Sequence, residues 1–110
     1  MEENCAQKIL AESYCYTSTQ CQVCGNIQIH DGIYVFGFTP QALRAWAKEI
    51  LTLDFDRCCR YDGDIPYLQL YAPLHQYEYL FFRDQFREYQ DLLGQTLAIL
   101  DAYALVSPQI

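Results

Sequence analysis

The stretch from Ile27 to Phe38 leaves this chain the fewest choices of fold. Two runs of strand formers, Ile27 to His30 and Ile33 to Phe38, flank the dipeptide Asp31-Gly32. Asp-Gly between such runs is a strong hairpin signal, because a type I′ turn needs positive φ at both central residues. A two-residue turn at Asp31-Gly32 sets His30 opposite Ile33, Ile29 opposite Tyr34 and Ile27 opposite Phe36. One face is then Ile27, Ile29, Tyr34, Phe36 and Phe38, a core surface, while Gln28, His30, Ile33 and Val35 take the other.

A helix follows at once. Thr39 is a good N-cap and Pro40 suits the first helical position, where its missing N–H costs nothing. Leu43, Trp46, Ala47, Ile50 and Leu51 recur at helical spacing, with Arg44, Lys48 and Glu49 on the wet side. Leu53 to Asp64 reads as a connection of mixed charge, in which Asp62-Gly63-Asp64 lacks the later ligands of a calcium loop and reads as a turn. Tyr67 to Tyr71 alternates as a strand, and Pro66 at its start suggests a sheet edge. Gln76 to Phe82 makes a further strand, with Tyr77, Tyr79 and Phe81 opposed to Glu78, Leu80 and Phe82.

The last element is a long helix from about Arg83 to Val106, ended before Pro108. Its stripe is Phe86, Tyr89, Leu93, Leu97, Leu100 and Ala104, and Gly94 in its middle suggests close packing. At the other end, Gln7 to Ser18 reads as one strand leading to the cysteines. The expected fold class is α+β: an antiparallel sheet of two hairpins plus an N-terminal strand, covered on one face by two amphipathic helices.

At 110 residues the size prior is a single domain spanning residues 1–110, burying roughly two-thirds of its unfolded surface. Hydrophobic residues make up 52% of the chain, so a core needs no staple. The net charge of −7 disfavours binding to a nucleic-acid backbone, where affinity comes from Lys and Arg. Neither a membrane span nor a basic, apolar secretory leader is legible, so the expected compartment is the cytoplasm. In a reducing compartment, six cysteines read as thiols or metal ligands before disulfides.

Cys21-Gln22-Val23-Cys24-Gly25-Asn26 is the chemistry-bearing motif. Cysteines two residues apart can turn both thiolates toward one zinc ion, and the following glycine relieves the turn. That is half a site. Cys5 and one of Cys58, Cys59 or a histidine would complete it, although adjacent cysteines in extended backbone point apart. Two other arrangements compete: a redox dithiol at Cys21 and Cys24, which no following helix activates, and buried cysteines acting as small hydrophobes. His30 and His75 read as surface residues, and no catalytic triad, phosphate loop or paired-acid motif stands out.

The early Cys5, the Cys21-x-x-Cys24 pair, and a strand ending in Phe38-Thr39-Pro40 before an amphipathic helix resemble a family of short bacterial proteins of unknown function. The similarity covers the first half of the chain. It implies no activity, and it favours Cys5, Cys21 and Cys24 as the working metal set. The expectation is a non-enzymatic domain with a zinc-type knuckle, contacting another protein or itself, with no nucleic-acid or membrane partner. A thiol redox protein and an acidic nucleic-acid mimic are the alternatives.

Overall fold

The computed structural model describes residues 6–106, which form an α+β fold of two antiparallel sheets with helices packed against them. The first sheet is a meander of β1 (Gln7–Glu12), β2 (Tyr16–Cys21), β3 (Ile27–Asp31) and β4 (Tyr34–Phe38). After α1 (Pro40–Thr52) and the short α2 (Phe55–Cys58) comes a second meander of β5 (Arg60–Asp62), β6 (Ile65–Ala72) and β7 (Tyr77–Phe82). The chain then enters α3 (Arg83–Val106).

The central hairpin forms with its loop one residue later than expected. Asp31 pairs with Tyr34, Ile29 with Phe36 and Ile27 with Phe38, so Gly32 and Ile33 are the turn. Gly32 takes φ +62° while Ile33 does not have positive φ, the pattern of a type II′ turn with glycine first. A type I′ turn at Asp31-Gly32 would have forced Asp31 into positive φ, and the observed turn asks this of glycine alone. The face assignment survives, because each pair's partner has moved by two positions: Ile27, Ile29, Phe36 and Phe38 are buried. Gly63 repeats the device at φ +63° between β5 and β6, so Asp62-Gly63-Asp64 is a turn.

The N-terminal segment is two strands, not one. Ser13, Tyr14 and Cys15 reverse the chain without glycine or proline, closed by Ser13 N–H to the Tyr16 carbonyl (2.7 Å) and Tyr16 N–H to Ser13 Oγ (3.1 Å). A register shift between Ile9 and Ala11 bulges β1, which lets the neighbours Leu10 and Ala11 both be buried. The expected connection also contains more structure, in α2 and β5.

The single expected sheet is divided in two. No backbone ladder joins β4 to β7, which meet instead through side chains: Phe36 lies 4.9 Å from Tyr77 and 5.5 Å from Tyr79, centroid to centroid. Pro66 is not on an edge strand, since β6 is central in its sheet. It is tolerated because it pairs only with Tyr61 on β5, one residue beyond the last β7 pair, Tyr67 with Phe82.

Thr39 Oγ1 accepts from Ala42 N–H at 3.1 Å and caps α1 as expected. Leu43, Trp46, Ala47 and Ile50 are buried, whereas Leu51 is exposed. α3 packs on strands of both sheets and on α1. Its stripe is shifted from the expected one: Leu92 and Thr96 are buried, and Ala104 is exposed. Gly94 marks no close approach, for a Cβ there would meet nothing within 4 Å.

The core sits where the sheets and the two long helices meet. Tyr79 is its centre, with its ring 5.7 Å from Trp46, 5.8 Å from Tyr89 and 5.3 Å from Phe81. Trp46 Nε1 donates to Tyr89 Oη at 2.9 Å, which satisfies a buried indole and ties α1 to α3.

Candidate metal centre at the cysteine knuckle

The knuckle is the connection between β2 and β3. Gly25 N–H donates to the Cys21 carbonyl and Cys21 N–H to the Asn26 carbonyl, both at 2.9 Å, closing a tight turn at the end of the ladder. Gly25 holds φ +83°, a conformation that costs glycine little and a side chain more. Gln20 Nε2 braces the turn from below by donating to the Gly25 carbonyl at 3.0 Å.

This backbone path aims two donors at one sulfur. The N–H groups of Val23 and Cys24 each lie 3.3 Å from Cys21 Sγ. Cys21 is 2% exposed at the end of β2, and Cys24 is exposed. Hydrogen bonds to a sulfur favour its anionic form, the form that ligates metal. The knuckle thus presents two backbone donors to a single buried sulfur.

Cys5 lies outside the described residues. Its neighbour Ala6 is placed, with its carbonyl accepting from Gln22 N–H at 2.9 Å beside the knuckle. Cys58 and Cys59 sit elsewhere, at the end of α2 before the second sheet, where Cys59 packs against the core. Among the described residues, no group of three or more His, Cys, Asp or Glu could hold a metal ion.

The remaining candidates have other work. Cys15 lies in the β1–β2 turn, where burial and the nearby Glu88 carboxylate push its thiol up. Burial also acts to raise Glu88, but hydrogen bonds from Ser13 Oγ and the Cys15 N–H hold it below the usual carboxylate range. His30 Nε2 lies 3.3 Å from Thr19 Oγ1 on the face away from the core. His75 Nε2 donates to the Gly37 carbonyl at 2.8 Å, and its ring stands edge-on to Phe36 and Phe38. His75 is a clip between the sheets, a role its position in a turn did not reveal.

No described helix is long and apolar enough to cross a membrane. No family model, curated protein or solved structure matches the chain.

Proposed function

We propose that the chain is a non-enzymatic domain in which the knuckle holds a structural zinc ion and the folded unit binds another protein. The carrying observation is the pair of backbone N–H groups 3.3 Å from Cys21 Sγ. Such donors stabilise a thiolate without adding positive charge to compete with a metal. Cys24 follows at the spacing that lets both sulfurs reach one tetrahedral ion. Cys5 is the third member, one residue along the chain from an Ala6 already hydrogen-bonded to Gln22. Zinc there would tie the start of β1 to the β2–β3 turn.

The second sheet supports the binding half of this reading. Its face away from the core carries Ile65, Tyr71, Leu80 and Phe82, all exposed. Large apolar groups gathered on one sheet face are the material of protein contacts.

Zinc content of the full chain, purified without added metal, tests the knuckle. One equivalent of zinc is expected, lost in Cys21→Ser and Cys5→Ser and retained in Cys58→Ser. Since structural zinc contributes about 10–16 kcal/mol of apparent binding free energy in small peptides, chelation should lower the melting temperature sharply. Zinc-free protein whose melting ignores chelator would overturn the metal claim.

A further inference from the structure

A cleft opens at the other end of β3 from the knuckle, between the β3–β4 turn and β7. Its volume is about 360 Å³, within the range of small-ligand sites, and Tyr16, Asp31, Tyr34, Tyr77, Tyr79 and Gln85 are among the residues lining it. The tyrosine rings stand at angles to one another. Tyr34 and Tyr77 are 6.0 Å apart at 49°, and Tyr77 and Tyr79 are 4.9 Å apart at 80°. Such walls present both faces and edges to a guest.

One charged group lines this cleft. Asp31 is half-buried, and among the described residues it has neither an ion pair nor a side-chain hydrogen bond. Among the described residues, no Lys, Arg or His lines the cleft. Tyr79 is 3% exposed and turns its hydroxyl inward beside Tyr89, so it adds a ring edge to the wall and no polar group to the opening. A half-buried carboxylate without a partner is a costly arrangement that a cationic ligand can relieve.

The chemistry selects the ligand. An anion is repelled by Asp31 and by a net charge of −7. A hard metal ion wants several oxygen ligands, and this cleft holds one carboxylate. An organic cation suits both features, since aromatic faces attract it and a carboxylate balances its charge. We propose that the cleft is a binding site for an alkylammonium group, held by Asp31 and the rings of Tyr34 and Tyr77. The group belongs to a small free amine or to a methylated lysine side chain. The site is independent of the metal, because it lies beyond Asp31 while the knuckle precedes Ile27.

Titration of the full chain, followed by backbone amide NMR shifts, tests the site with tetramethylammonium, a trimethyllysine peptide and the neutral isostere 3,3-dimethylbutanol. Saturable shifts confined to the β3–β4 turn and β7 are expected, with at least one ammonium bound about tenfold tighter than the isostere. Tighter binding of the peptide than of tetramethylammonium assigns the group to a protein partner, and the reverse assigns it to a small amine. Asp31→Asn and Tyr34→Leu should each weaken ammonium binding several-fold while leaving the isostere unchanged. Tyr34 is 54% exposed, so Tyr34→Leu keeps apolar bulk without threatening the fold. Equal binding of the isostere, or no saturable shift at millimolar ammonium, would overturn the proposal.

Discussion

Ser18 Oγ on β2 and Thr96 Oγ1 on α3 lie 2.6 Å apart, and both residues are fully buried. The proton assignment follows from a third atom. Thr96 Oγ1 gives its only hydrogen to the Leu92 carbonyl at 2.8 Å, so Ser18 must be the donor across the gap. This is a fully buried polar contact between β2 and α3.

The two single truncations therefore differ. Thr96→Val leaves the Ser18 hydroxyl buried without its acceptor and should cost about 1–3 kcal/mol. Ser18→Ala removes the donor while Thr96 keeps its bond to Leu92, and should cost about 1 kcal/mol. The double variant should be no less stable than Thr96→Val alone. Urea unfolding of the four proteins measures the coupling, and strict additivity would show that the two hydroxyls do not act as a pair.

Glu88 links acid stability to the β1–β2 turn. Its folded pKa lies below the ordinary value of 4.5 because Ser13 and Cys15 hydrogen-bond to the carboxylate. The stability it contributes is thus fully present above about pH 5, and is lost as pH falls through the folded pKa. Glu88→Gln should lower the urea midpoint at neutral pH and converge on the parent in acid. A difference independent of pH would place the effect in packing instead of charge.

Gly94 is a residue the fold does not use. It lies inside α3 with open space where a Cβ would stand. Gly94→Ala should raise stability by about 0.5–1 kcal/mol through helix propensity alone. Thermal melting reads the shift, and a lowered melting temperature would show that helix propensity does not govern this position.

Gly25 is the opposite case. At φ +83° an alanine is strained although no atom blocks its Cβ. Gly25→Ala should cost about 1 kcal/mol or more and weaken the metal affinity proposed for the knuckle. Retention of zinc together with unchanged melting would show that the turn relaxes freely.

Much of this was legible from local signals. The central hairpin declares itself by Gly32 between two strand runs, α1 by Thr39-Pro40 and its stripe, and α3 by length and periodicity. The β1–β2 turn was not legible, because Ser13 is fixed by Glu88, a carboxylate contributed from α3. Of the site, Cys21 and Cys24 were visible from their spacing. The N–H groups on Cys21 Sγ were not, since backbone direction has no sequence signature at that scale. The tyrosine cleft was visible only as a count of tyrosines.

Sequence alone determined most of the residues that face inward in the β3–β4 hairpin and in α1, because a period of two or of about 3.6 is written in neighbouring positions. Only the tertiary structure decided that the strands divide into two sheets. β4 and β7 meet through the rings of Phe36, Tyr77 and Tyr79 and not through a backbone ladder, and that packing joins residues about forty positions apart. The knuckle shows the same boundary. Its spacing allows a metal-type turn, but the donors on Cys21 Sγ exist because β2 and β3 pair and close the chain between them.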